Sequence, residues 1–370
     1  MKNTLKFALI CSLIFCCTFL SAQANPLAYA LDEDGFAYPV PEAELSFPRD
    51  HGSHPFYKTE WWYLTGHFNS EDNSQRYGFQ LTFFRSAGEP GSNAQQIHMA
   101  HAALTNLNTG QFLHEERLNR AGWNAQSAVG HLDLFNGNWS LSMNEDESMK
   151  ARFSVQSEAI VHLEFIPLKP KTLFGKDGYS RKGKNPSSVS HYITFTRLGT
   201  TGTLELNGES YSVTGQTWMD HEFSSSQLEP GQIGWNWTSL ILDDGTELMA
   251  YVMRRADGKT DPHSTLTLIA ADGSKRALSS DAFEWTPQRF WQSPTSGGNY
   301  PIDYHLSWND AGEKGEIFVK ANADAQELQG QIGQFQYWEG SSQAYDANGH
   351  PIGSGYTELT GYTKSLQGQF

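Results

Sequence analysis

Along most of this chain apolar and polar residues alternate with a period of two, the spacing of a half-buried β-strand. The first firm run is Glu60–Phe68, where Trp62, Leu64 and Phe68 share one face and Trp61, Tyr63, Thr65 and His67 share the other. The first face is core. The second is aromatic with polar tips, which suits a ligand-facing wall or a well-packed barrel corner. Tyr77–Arg85 repeats the pattern with Phe79, Leu81 and Phe83 on one side, and Gln96–Asn106 follows. Further strands are predicted at Trp139–Met143, Ala151–Gln156, Ile160–Ile166 and Tyr192–Leu198, and Asn207-Gly208 predicts a tight hairpin leading into Tyr211–Thr214. Beyond residue 231 the runs are Ile233–Leu242, Glu247–Arg254, Thr265–Ala270, Phe283–Trp291, Ile302–Trp308, Glu316–Lys320, Gln334–Tyr345 and Tyr356–Lys364. With about sixteen strand candidates and no long amphipathic helix, the pattern predicts an all-β sandwich or barrel protein. The polar stretch Ser224–Gly231 divides it into halves of about eight strands, the number that closes a ligand-sized up-and-down barrel.

The ends and the charge change this picture in a few places. Lys2 and Lys6 precede an apolar run, Phe7–Leu20, and then Ser21-Ala22-Gln23-Ala24, the layout of a secretory signal peptide over residues 1–24. A secreted or periplasmic protein beginning at Asn25 is therefore expected. All three cysteines (Cys11, Cys16, Cys17) fall in that leader, and bulky Phe15 argues against lipoprotein anchoring at Cys16. No transmembrane segment is expected after it. Residues 25–48 read as an extended arm. The formal charge of −15 argues against nucleic acid and anionic lipid as partners, leaving a small hydrophobic ligand as the expected one; nothing in the sequence points to a protein partner. Lys169–Ser190 is the basic exception, a Gly- and Pro-containing stretch that suits a lid, a contact loop or a solvated insertion.

Candidate chemistry gathers at Thr217-Trp218-Met219-Asp220-His221-Glu222-Phe223, placed at the end of a strand beside a sheet interior. A carboxyl group among aromatic side chains loses hydration, and its charged form is disfavoured. Asp220 is thus either an acid active near neutral pH or one part of a hydrogen-bonded corner. Glu222 is expected in a buried hydrogen bond, to Arg85 or His67. His98 and His101 stand at an odd offset, point to opposite faces of their strand, and are expected to hydrogen-bond rather than bind metal. There is no Gly-x-Ser-x-Gly elbow, no paired-histidine zinc helix, no phosphate loop, no dinucleotide fingerprint and no cysteine nucleophile beyond the leader. Cofactor-free acid–base chemistry or plain ligand binding remains, with no metal and no cofactor.

Glu60-Trp61-Trp62-Tyr63-Leu64-Thr65-Gly66-His67 and Trp218-Met219-Asp220-His221-Glu222 resemble the carotenoid 1,2-hydratase-like family, which includes the AttH-like proteins. Met99–Thr105, Gly178–Gly183 and Ser190-His191-Tyr192 fit as well. The resemblance implies two consecutive lipocalin-like antiparallel β-barrel domains, residues 49–226 and 227–370. It also implies a lyase that protonates an isoprenoid double bond. In the hydratases the acid belongs to a Tyr-x-Asp element and works with an upstream His-x-Trp element. Asp220 stands at the acid position, with Trp218 in place of the Tyr; His191 stands for the His, with Ile193 in place of the Trp. The resemblance makes Asp220, His191 and His221 the expected catalytic group, and Trp218, Trp61, Tyr63 and His67 the expected ligand contacts. A carrier of a hydrophobic ligand, without turnover, is the alternative.

Overall fold

The computed structural model describes residues 27–92, 94–330, 332 and 336–367. The expected leader and Gln334 lie outside these. The chain is all-β, built on two large antiparallel sheets. In the first, Thr59–Ser70 pairs with Arg76–Ala87, which pairs with Gln96–Asn106 and then Phe112–Arg120. On its other side Thr59–Ser70 pairs with Glu209–Ser224, the last strand of this half, which pairs in turn with Val189–Leu206. The sheet continues through Ala159–Pro167 and Met149–Val155 to an edge at Ala125–Ser127. Its two edge strands are neighbours in the chain, and side chains bridge the seam: Asn119 Nδ2 donates to Asn136 Oδ1 at 2.6 Å and Arg117 lies over the Trp139 ring. The sheet is thereby a nearly closed barrel.

The second sheet repeats the plan. Its first strand, Gln232–Leu242, pairs with its last, Pro351–Thr360, and its edges are the sequence neighbours Lys275–Ser279 and Phe283–Gln292. Pairing of first and last strands follows from meandering a chain around a curled sheet. Each half has its own interior. Trp62, Leu64, Phe68, Phe79, Leu81 and Phe153 fill the first; Leu240, Leu248, Leu266, Tyr304, Leu306 and Val319 lie in the second.

A third apolar cluster, including Tyr63, Trp218, Trp237, Tyr251, Tyr337 and Tyr356, joins the outer faces of the two sheets. Trp61, Tyr63, Thr65 and His67 belong to the outer face, so the polar-tipped side of Glu60–Phe68 meets the second half of the chain. Gly78 marks the close approach there, since an added Cβ would lie 2.6 Å from Ser341 Cβ.

Asn207 and Gly208 both have positive φ (52° and 83°) between paired Leu206 and Glu209, as the Asn-Gly hairpin requires. Phe112–Arg120 had no alternating signature because its side chains are half-buried and mostly polar. The arm expected to be extended folds back on itself, with Tyr29–Leu31 paired to Ala37–Pro39. The basic stretch Lys169–Ser190 is more than a solvated insertion, since Lys182 lies in the wall of a cavity between the two sheets. It is a wedge between the halves, whose Lys169 reaches Glu247 and whose Lys182 reaches Glu222, both at 2.7 Å.

Candidate functional site

The motif around Asp220 forms the C-terminal half of a long strand, Glu209–Ser224, and is itself paired on both sides. Alternation divides it. Met219 enters the first barrel's interior and His221 stacks on Trp62, while Trp218, Asp220 and Glu222 face the second half. Beside it, the strand Val189–Leu206 carries a register shift between Phe195 and Leu198. Counted from the Asn207-Gly208 turn without that shift, Phe195 would oppose Asp220. With it, Thr194 does, and Tyr192 opposes Glu222. One extra residue in one strand reverses which side chains look outward.

Asp220 is consequently held by three donors. Thr194 Oγ1 and Trp218 Nε1 donate to Oδ1 at 2.6 and 2.8 Å, and Tyr192 Oη donates to Oδ2 at 2.8 Å. Trp237 Nε1 donates to the same Tyr192 oxygen at 3.1 Å, linking the second sheet to the acid. Complete burial pushes Asp220 up and the three donors pull it down; burial prevails, and the group titrates at about 7.

Asp220 lines a cavity of about 80 Å³ between the two sheets. From the first sheet come Trp61, Tyr63, Thr82 and Phe84; from the second, Trp235, Trp237, Tyr251 and Tyr337. Lys182 and Glu222 close one part of the wall as a buried ion pair, with Ser190 donating to Glu222 at 2.7 Å and the Tyr192 and Tyr251 rings under the ammonium. Although burial opposes the charge, Glu222 holds Lys182 above its ordinary value. Glu222 therefore meets neither Arg85 nor His67, the partners expected from the sequence.

Trp61 and Tyr63 reach the cavity wall, and Trp218 is one side chain away, fixing the acid. His67 lies elsewhere on the interface, bonded to Ser341 Oγ at 2.7 Å and kept neutral by burial, titrating at about 4. His191 and His221 are on the opposite face of their strands from Asp220. His191 packs against Phe223 and Tyr57, and burial lowers it to about 3, so it is neutral. His221 Nε2 meets Glu60 Oε1 at 2.9 Å, and burial holds the ring below its ordinary value despite that contact. The structure does not bring these two imidazoles together with the acid. The physical reason is the two-residue period, which sends neighbours in a strand to opposite sides.

His54, Glu60 and His221 place ligand-type atoms within 4.8 Å of one another. Those atoms are already engaged: His54 Nδ1 contacts Glu60 Oε1 at 2.8 Å and Arg85 Nε donates to Oε2 at 2.8 Å. Burial opposes charge on Glu60, but Arg85 and His54 hold it well below the usual carboxylate range. This is an ion-pair network closing one end of the first barrel. His101, on the outer face, contacts Tyr337 Oη at 2.8 Å, while His98 faces inward toward Arg85.

Tyr192, Thr194, Lys182 and the tryptophans of Gln232–Leu242 were not legible as site residues. For Tyr192 and Thr194 the available signal was the hairpin register, and the register shift hides it.

The AttH-like family model matches residues 38–362, most of the chain. The chain belongs to the AttH-like family. A candidate AttH from Nitrosomonas europaea is 33% identical to this AttH-like chain, with a TM-score of 0.79 over 87% of this chain and 98% of that one. Kievitone hydratase from Nectria haematococca shares the fold at 16% identity, with a TM-score of 0.67 over 87% of this chain and 94% of that one. CghA with Sch210972 follows at 12% identity and a TM-score of 0.51, over 90% and 98%. No curated relative matches the sequence.

Proposed function

We propose that this AttH-like protein is a cofactor-free hydro-lyase, adding water to, or removing it from, a carbon–carbon double bond in an apolar isoprenoid- or lipid-like molecule. Asp220 is the proton donor. The observation that carries the reading is a buried carboxyl titrating at about 7 in the wall of an aromatic cavity. Protonating an alkene creates a carbocation, which needs an acid that keeps its proton near neutral pH and ring faces to offset the developing charge. Trp61, Tyr63 and Trp237 supply those rings. Thr194 and Trp218 orient Oδ1, and Tyr192 takes up the other oxygen. The hydratase among the proteins of like fold supports the reaction class without naming a substrate. His191 and His221, placed away from the cavity, take no part in this step: His191 packs against Phe223 and Tyr57, and His221 belongs to the Glu60 network.

The alternative is a carrier that holds a hydrophobic ligand in the same cavity, favoured by the apolar lining. One experiment separates them: geraniol, farnesol and squalene are incubated with the protein, and products are followed by mass spectrometry for gain of one water. A lyase forms hydrated product in the wild type and loses it in Asp220→Asn, whose melting curve still shows a folded protein. A carrier binds without product in both. Equal turnover by wild type and variant removes Asp220 from the reaction. We further propose export through cleavage of residues 1–24, so the protein for this assay is taken from the periplasmic fraction. An N-terminus other than Asn25 there contradicts the proposed cleavage site.

A further inference from the structure

The second sheet brings a carboxyl of its own to the cavity. Glu358, on Pro351–Thr360, lies in the wall, flanked across the ladder by Trp237 on one side and Glu339 on the other. Two anions directly opposite on adjacent strands repel. Each of these carboxyls receives one hydrogen bond among the described residues. Trp235 Nε1 donates to Glu358 Oε2 at 2.7 Å, and Tyr63 Oη donates to Glu339 Oε1 at 2.6 Å, leaving Glu339 Oε2 buried without a partner. Tyr63 is the cross-strand neighbour of Asp220, and Trp237 bonds the tyrosine that bonds Asp220. The two sheets thus carry Asp220 and Glu358 to one cavity, each with its own donors, and Trp237 stands between them, cross-strand from Glu358 and bonded to the Tyr192 hydroxyl that Asp220 holds.

We propose that Glu358 is the second proton carrier of this site, set on the wall opposite Asp220 so that one carboxyl gives a proton to the bound molecule while the other takes one from water. This rests on the lyase reading above. In hydration, the Asp220 O–H bond breaks and a C–H bond forms at one alkene carbon. A water oxygen bonds to the other carbon, and a water O–H bond breaks as its proton passes to the Glu358 carboxylate. One water is consumed, nothing is oxidised or reduced, and the pair ends with one proton, as it began.

Other acids fit less well. Glu222 lines the same cavity but is locked to Lys182 and Ser190. Glu339 does not line the cavity, and burial and the facing Glu358 hold it well above the ordinary range. The groups facing Glu358 are Glu339 and Tyr337 from the neighbouring strand and Tyr251 from its own sheet. Asp220, Glu222, Tyr63 and Tyr192 face it from the first sheet, and Lys182 from the wedge. Burial, with Glu222 and Asp220 adding to it, pushes Glu358 up to about 7, against the Trp235 bond. Its proton is therefore exchangeable where that of Asp220 is.

Infrared titration of the whole protein, with Asp or Glu carboxyls labelled in separate samples, tests the pairing without a substrate. Asp220→Asn is expected to lower the pH at which Glu358 loses its proton, by on the order of one unit, and Glu358→Gln to lower that of Asp220. Independent titrations, each unmoved by loss of the other group, overturn the pair. Should Glu358→Gln fail to fold, the Asp220→Asn arm decides alone. On any isoprenoid the wild type hydrates, Glu358→Gln is expected to reduce kcat by about 10²-fold and to remove the acid-side limb of the pH profile, with KM little changed. If Asp220→Asn abolishes turnover while Glu358→Gln keeps kcat and both limbs, the second carrier is refuted and the lyase reading stands. Normal turnover by Asp220→Asn refutes the lyase reading itself.

Discussion

Asp220 sits between opposed influences, and their balance makes a measurable claim about stability. Its ordinary value of 3.8 rises to about 7 in the folded protein because burial outweighs three donors. A raised carboxyl binds its proton more tightly when folded, so its stabilising contribution is complete below about pH 4 and is lost as pH rises toward 7. A shift of about three units corresponds to about 4 kcal/mol at most. Asp220→Asn, which cannot ionise, escapes this loss. Its melting temperature relative to wild type is therefore expected to climb between about pH 4 and pH 7 and then level off. Parallel melting curves for the two proteins across that range would show that the carboxyl is not dry. The imidazoles illustrate a different residue-scale lesson. Asp220 and His221 are adjacent in sequence, yet their side chains are separated by the sheet itself. The same odd-offset rule that sends His98 and His101 apart applies here.

At the scale of elements, most of the chain's long strands were legible and their register was not. Period two announced Glu60–Phe68 and Tyr77–Arg85, and the glycine at position 208 announced the hairpin. The shift between Phe195 and Leu198 left no mark, because Thr194 and Tyr192 are ordinary strand residues whichever way they face. Yet that shift aims a hydroxyl and a phenol at Asp220. The basic wedge was visible as composition, and its role became visible only with its partners. Lys182 and Glu222 are both buried at 2.7 Å. Lys182→Met leaves an unpaired carboxylate in the interior and is expected to cost roughly 3–5 kcal/mol. The double variant Lys182→Met with Glu222→Gln is expected to recover much of that loss. Chemical denaturation of the single and double variants checks this; equal losses would mean that the ammonium matters only as packing.

The whole molecule is a nearly closed barrel and a second large curled sheet, each with its own packed interior, and their outer faces meet. The strand count left open whether a ligand site lies inside one half or between the two; the cavity lies between the sheets. That arrangement depends on close approach at Gly78, where an added Cβ would lie 2.6 Å from Ser341 Cβ and 3.0 Å from Tyr356 Oη. Gly78→Ala is expected to push the sheets apart and destabilise the protein by about 1–3 kcal/mol. Infrared titration of this variant should show Asp220 losing its proton at lower pH, because a widened gap admits water. A variant as stable as wild type, with Asp220 unmoved, would show that the interface yields without cost.

The sequence alone determined that this chain is all-β, where most of its strands run, and which acid is surrounded by aromatics, because those properties are local and periodic. The tertiary structure alone decided that Tyr192, Thr194 and Trp237 belong to that acid, that two histidines do not, and that Glu358 shares its cavity. Those facts depend on register and on how two curled sheets dock, and neither leaves a period to read.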